Sequence, residues 1–143
     1  MISYLTDMDG VLHREGEIIP GAKEFIGALR SEDIDFMVLT NNSIQTPRDL
    51  SAKLQRMGLD IEPERIWTSA TATAKFLSQQ AGAASAYVIG EAGLTTALHE
   101  IGWILTDADP DFVVLGETRT YSFEALTTAS NLIRNGSRFI ATN

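Results

Sequence analysis

Short apolar runs alternate with segments of helical periodicity along the whole chain. The apolar runs are rich in β-branched and aromatic residues, and they predict strands at 2–6, 35–39, 65–68, 86–89, 103–105, 112–115 and 138–142. The periodic segments between them predict helices at 22–32, 47–57, 69–80, 92–101 and 123–134. This alternation is typical of repeated β–α units, so we predict an α/β fold built on parallel sheet, with the first strand buried.

One helix carries clear signals at both of its ends. Thr46 occupies the N-cap position, Pro47 the first helical position, and Gly58 follows the last apolar residue. Leu50 and Leu54 lie on one face between these ends. We therefore expect this helix to begin and end within about two residues of the prediction.

Composition and charge narrow the classes of function. The 143 residues contain no cysteine, which removes disulfides, thiolate metal sites and cysteine nucleophiles. A formal net charge of −8 disfavours nucleic acid and anionic lipid as partners. No apolar run approaches the roughly 20 residues of a membrane span, and the first residues lack the features of a signal peptide. We therefore expect a cytoplasmic protein that does not enter a membrane.

Two carboxylates follow the first predicted strand. Asp7 and Asp9 are two residues apart, so on an extended backbone their side chains point the same way, and Gly10 comes next. The carboxyl ends of parallel strands form the ligand crevice of such sheets. Two like charges this close require a cation or a shared proton, and hard oxygen ligands of this kind suit Mg²⁺. Gly10 would let the backbone approach an anion closely.

The second strand ends in a polar cluster. Thr40, Asn41 and Asn42 supply hydroxyl and amide groups that can bind phosphoryl oxygens without adding charge. Thr and Asn are also common in turns, and residues 142–143 repeat the Thr-Asn pattern after another predicted strand. The spacing from Asp7 through one helix is what favours Thr40 as part of a site.

These two strand ends resemble motifs I and II of the haloacid dehalogenase (HAD) superfamily. The similarity is greatest to its NagD-like branch, the 4-nitrophenylphosphatase-type enzymes with a C2 cap, and it extends over residues 68–73, 87–91, 110–119 and 135–143. The resemblance implies a Rossmann-like HAD core with an inserted α/β cap. It also implies Mg²⁺-dependent hydrolysis of small phosphate monoesters, such as nucleotides, sugar phosphates or phosphoglycolate, through an aspartyl-phosphate.

The resemblance also implies a role for each motif residue. Asp7 is the nucleophile and a Mg²⁺ ligand. Asp9 is the general acid and later the base, and it also binds the metal through its backbone carbonyl. The phosphate contacts fall to four residues of the two strand ends: Gly10, Thr40, Asn41 and Asn42.

The other two motifs of the family are missing. Its phosphatases also use a lysine and an acidic loop at later strand ends, whereas Lys23, Lys53 and Lys75 all fall in predicted helices. The acidic segment 107–111 follows a strand, but the resemblance assigns it to the cap. We therefore expect the first part of a longer protein, with an incomplete core over 1–82 and an incomplete cap over 83–143. A small-residue joint at 81–85 agrees with a boundary near residue 82.

Two other functions remain open at this point. A phospho-accepting receiver domain also carries acidic residues at strand ends, but it requires a phospho-acceptor after the third strand, which here ends in Thr68 without an Asp. The chain could also be an inactive fragment, or associate with a second copy through the cap. His13 lies in the loop after motif I and could face the substrate, but we expect it to be a surface residue.

Overall fold

A computed structural model describes residues 2–143, which form two compact units. The first unit contains residues 2–41 and Pro47–Thr68, and the second contains Asn42–Thr46 and Ser69–Asn143. Each unit is built on a parallel sheet with helices, which confirms the predicted α/β class. Within residues 2–143, no helix has the length and apolarity needed to cross a bilayer.

The first unit holds a three-stranded parallel sheet with the strand order β1-β4-β5. Its elements, in chain order, are β1 (Ser3–Asp7), β2 (His13–Arg14), β3 (Glu17–Ile18), α1 (Ala22–Ser31), β4 (Asp35–Thr40), α2 (Pro47–Arg56), a 3₁₀ turn (Pro63–Arg65) and β5 (Ile66–Thr68). Helix α2 begins at Pro47, as its capping signals predict. The sequence pattern missed the short antiparallel hairpin of β2 and β3.

The core of the first unit lies between the sheet and its helices. Its fully buried side chains include Val38 of β4 and Leu50 and Leu54 of α2. The first strand is less buried than predicted, because Leu5 is 70% exposed. Within the described residues β1 is an edge strand whose pairing partner is β4, so less of its surface is covered than in a central strand.

The second unit holds a four-stranded parallel sheet with the strand order β7-β6-β8-β9. Its elements, in chain order, are α3 (Ser69–Gln80), β6 (Ser85–Ile89), α4 (Ala92–Glu100), β7 (Ile104–Leu105), β8 (Phe112–Leu115), α5 (Phe123–Arg134) and β9 (Arg138–Ala141). Trp103 is buried in its core and stacks near Phe112, with 4.9 Å between the ring centroids.

The division between the units differs from the boundary expected near residue 82. Helix α3 belongs to the second unit, because Ala70 and Leu77 pack in the same core cluster as Leu94 and Trp103. The small-residue joint is tied to that unit too, since the Trp103 indole N–H donates to the carbonyl of Gly82 at 3.0 Å. Small residues there mark a helix end inside a unit.

The strand order of the first unit argues against the receiver alternative. In that fold the first strand lies between the second and third strands. Here β1 lies at one edge, and β4 separates it from β5. An acidic pair after β1 is therefore not placed as a receiver places it.

Candidate active site

The first strand delivers both aspartates of motif I to the carboxyl edge of the sheet. Asp7 is the last residue of β1 and is paired in register with Leu39. Met8 is buried in the core, and its N–H donates to the Leu39 carbonyl at 3.0 Å and to Asp7 Oδ1 at 2.8 Å. Asp7 and Asp9, on either side of Met8, are both exposed.

The chain turns sharply after Asp9. Gly10 has a φ of +82°, which side-chain-bearing residues rarely adopt. Its N–H donates to the carbonyl of His13 at 2.8 Å, so this donor is used inside the turn. Gly10 thus shapes the turn, and its expected contact with a phosphate stays a prediction.

The two strand-end motifs meet through a side-chain hydrogen bond. Thr40, the buried last residue of β4, donates its hydroxyl to Asp9 Oδ2 at 3.1 Å. Asn41 follows directly and is exposed. Residues 31 positions apart in sequence are thus joined at one edge of the sheet.

Asn42 belongs to the second unit and organises a turn. Its side-chain oxygen accepts hydrogen bonds from the N–H groups of Ile44 at 2.9 Å and Gln45 at 2.8 Å. This is the local backbone capping for which Asn is favoured in turns. A phosphate contact of Asn42 stays a prediction.

The segment Asn42–Thr46 is held firmly within the second unit. The carbonyl of Ile44 accepts from the N–H of Gly93 in the first turn of α4, at 2.8 Å. Ser43 is fully buried, and its hydroxyl accepts from the N–H of Glu117 at 2.9 Å. The sequence pattern did not predict this role of Ser43, although Gly93 near the start of α4 is a residue type that permits such a close approach.

His13 is buried, and the prediction that it lies on the surface is wrong. It begins strand β2, and the hairpin turns its ring into the protein, where it is 3% exposed. Its Nε2 lies 3.4 Å from Asp9 Oδ1, but without hydrogen-bond geometry, and neither ring nitrogen has a hydrogen-bond partner among the described residues. Burial lowers the pKa of His13, the positive charge of Lys53 lowers it further, and Asp9 opposes the shift.

The donor set at the sheet edge fits a hard cation. Neither Asp7 nor Asp9 is ion-paired with a lysine or arginine among residues 2–143. In the same part of the chain no group of three His, Cys, Asp or Glu residues is placed to hold a metal. A carboxylate and a backbone carbonyl, such as Asp7 and Asp9 offer, suit Mg²⁺, which completes its coordination with water and substrate phosphate oxygens.

The acidic segment 107–111 has a structural use instead. Asp111 accepts hydrogen bonds from the backbone N–H and the hydroxyl of Ser85, both at 2.8 Å. These bonds lower the pKa of Asp111, the hydroxyl contributing most. They tie the start of β6 to the residue before β8 within the second unit.

Known proteins resemble the chain over almost its entire length. It is 72% identical to a dihydroxyacetone phosphatase of Corynebacterium glutamicum (strain R) and 42% identical to an acid sugar phosphatase of Staphylococcus aureus (strain USA300). These alignments cover 99% of this chain but 52% and 55% of the two relatives. The solved structure of NagD from E. coli K-12 matches with a TM-score of 0.92 and 40% identity, over 99% of this chain and 56% of that one.

The chain therefore spans about half the length of the curated relatives it matches. A family described as haloacid dehalogenase-like hydrolase matches residues 4–104, which include both strand-end motifs. The resemblance noted in the sequence is confirmed, and the chain belongs to the haloacid dehalogenase-like hydrolase family.

Proposed function

We propose that the complete protein hydrolyses small-molecule phosphate monoesters, with Asp7 as nucleophile and Asp9 as general acid and base. The observation that carries this proposal is the hydrogen bond from Thr40 to Asp9, which joins motif I to motif II at one sheet edge. Membership of the family and the names of its phosphatase relatives support the same class of reaction. The proposal includes a cytoplasmic location, which suits a cysteine-free chain.

The proposed reaction has two displacements. In the first, an Asp7 carboxylate oxygen attacks phosphorus, the bond from phosphorus to the leaving oxygen breaks, and the Asp9 carboxyl proton moves to that oxygen. In the second, water attacks phosphorus, Asp9 takes its proton, and the bond from phosphorus to Asp7 breaks. A covalent intermediate divides one difficult displacement into two easier ones. Thr40 and Asn41 are the proposed contacts to the phosphoryl oxygens.

The carboxylate of Asp7 and the backbone carbonyl of Asp9 are the groups that would hold Mg²⁺. The ion, when bound, neutralises charge between the carboxylates and a phosphate dianion. This matters in a chain of net charge −8, which by itself repels an anionic substrate.

The two units fit the two parts of the proposed enzyme. The first unit, which carries Asp7 and Asp9, would be part of the HAD core, and the second would be part of the cap. The names of the relatives suggest three substrates to compare: dihydroxyacetone phosphate, a sugar phosphate and a ribonucleoside monophosphate. Given the 72% identity to a dihydroxyacetone phosphatase, we propose dihydroxyacetone phosphate as the preferred one.

The test measures phosphate release by the complete gene product, with and without Mg²⁺, on these three esters and 4-nitrophenyl phosphate. We expect Asp7→Asn to lower turnover by at least about a thousandfold, because an amide is no nucleophile at phosphorus. Asp33→Asn is the matched control, since Asp33 is an exposed turn residue with φ +53° that Asn tolerates. Full activity of Asp7→Asn would assign the nucleophile to another residue.

The 143-residue chain alone tests the alternative of an inactive fragment. It carries two of the family's four motifs, so we expect it to release phosphate far more slowly than the complete gene product. Comparable rates would show that no further motif is needed. Incubation with acetyl phosphate separates a receiver-like function, for which stable phosphorylation without turnover would be found.

A further inference from the structure

A buried imidazole, with no hydrogen bond from its ring to residues 2–143, lies beside the proposed general acid. The His13 side chain is 4% exposed, whereas the Asp9 carboxylate that it faces is 53% exposed. Neither nitrogen of the ring has a partner among the described residues. Buried polar groups in proteins are almost always hydrogen-bonded, so an exception calls for a functional explanation.

Backbone bonds fix the ring close to that carboxylate. The carbonyl of His13 accepts from the N–H of Gly10, and Asp9 and His13 form an isolated β-bridge. The sharp turn between them therefore sets the position of the imidazole relative to Asp9. The distance from Nε2 to Asp9 Oδ1 is 3.4 Å, so a shift of about 0.5 Å gives an ordinary N–H···O hydrogen bond.

We propose that His13 is a positioning residue for Asp9. The two carboxylate oxygens have different neighbours: Thr40 donates to Oδ2, and the Nε2 of His13 faces Oδ1. Groups on both sides hold the plane of the carboxylate, while its exposed face stays open to substrate. This inference rests on the proposed function, since it gives His13 its effect through the acid that protonates the leaving oxygen.

The hydrogen-bonding capacity of the ring fits this role. An imidazole carries at least one N–H, and a carboxylate oxygen is a strong acceptor for it. An N–H of His13 directed at Oδ1 would therefore orient the Asp9 carboxylate.

A positioning role predicts an effect that depends on the leaving group. An alkoxide, as from dihydroxyacetone phosphate, is a poor leaving group that needs the proton from Asp9. The 4-nitrophenolate ion is a good leaving group that needs little help. Misplacing the acid should therefore slow phosphoryl transfer from the alkyl ester and spare the aryl ester.

The experiment compares kcat/KM for these two esters in the complete gene product. We expect His13→Phe, which keeps a buried ring but no N–H, to lower kcat/KM on dihydroxyacetone phosphate by about ten- to a hundredfold. On 4-nitrophenyl phosphate we expect less than about a threefold change. His13→Gln, whose amide N–H can occupy the place of Nε2, should restore most of the alkyl activity, and His99→Phe, on the exposed face of α4, should change neither.

The rates of the His13→Phe variant on the two esters test the positioning role. Equal losses on both esters, or no loss on either, would overturn the positioning role. If His13→Phe fails to fold, His13→Asn replaces it, because its shorter side chain cannot reach Oδ1 as Gln can. Failure of the proposed function looks different: the wild-type protein would hydrolyse neither ester, or Asp7→Asn would stay active.

A spectroscopic readout tests the contact without turnover. In the metal-free complete gene product, Asp9→Asn should shift the imidazole ¹⁵N resonances of His13 and leave those of His99 unchanged. An unchanged His13 spectrum would show that the ring does not sense the Asp9 carboxylate, and would overturn the inference.

Discussion

The contact between Gly93 and the segment Asn42–Thr46 leaves no room for a side chain. A Cβ at Gly93 would lie 2.6 Å from the carbonyl oxygen of Gln45 and 2.7 Å from that of Ser43. Ordinary contact begins near 3.4 Å, so the backbone must withdraw by about 0.8 Å. Gly93→Ala therefore forces apart the first turn of α4 and the segment bonded to it.

The cost of this substitution follows from two effects. Overpacking against backbone costs about 1–3 kcal/mol. The displacement also lengthens the bond from the Gly93 N–H to the Ile44 carbonyl, which contributes about 1 kcal/mol more. We expect a loss of about 2–4 kcal/mol in the free energy of unfolding, or roughly 4–8 °C in the thermal midpoint of a protein as long as the relatives.

The assay is thermal unfolding of the complete gene product followed by circular dichroism. Gly27→Ala is the matched control, because Gly27 lies in α1, is exposed, and has no atom within 4 Å of the position of a Cβ. That change should stabilise the protein by about 0.5–1 kcal/mol, as Ala is the better helix former. If Gly93→Ala raised the midpoint as Gly27→Ala does, the close approach deduced at α4 would be wrong.

Two further predictions concern packing and charge in the first unit. Leu54→Ala should cost about 2–5 kcal/mol in urea unfolding, since Leu54 is fully buried, while the volume-conserving Leu54→Met should cost less than about 1.5 kcal/mol; equal effects would contradict the packing. The pKa of Glu62 is lowered by its own backbone N–H and then by Arg30, whose guanidinium donates to it at 2.7 Å. The ionised Glu62 carboxylate therefore stabilises the folded state at neutral pH, and this contribution is lost as the pH falls through the lowered pKa. Arg30→Met should raise that pKa in an NMR titration, and an unchanged value would assign the shift to the backbone alone.

Local signals in the sequence predicted the elements that depend on local physics. Helix α2 begins at Pro47 because a proline there needs no hydrogen-bond partner, and that requirement is visible in the sequence. The placement of Asp7 and Thr40 at strand ends was also readable, since parallel strands place their carboxyl ends at one edge. Gly10 was predicted to let the backbone approach an anion, which stays a prediction, and the structure shows its N–H bonded within its own turn.

The hydrophobic periodicity of the sequence did not predict the long-range contacts. The burial of His13 depends on a hairpin of two-residue strands, which is too short to give a pattern. Helix α3 belongs to the second unit because its alanines pack in the core of that unit. The amphipathic pattern of a helix predicts a buried face, but it does not predict which element will cover that face.

The sequence by itself determined the α/β class, the two motif strands and the family, because these rest on short-range spacing and capping. Only the tertiary structure decided that Ser43 is buried against Glu117, 74 residues later, and that the ring of His13 faces Asp9. Such pairs form when separate elements pack, and their energy comes from excluding water and satisfying donors across the fold. The composition of a segment does not predict which distant residue will contact it.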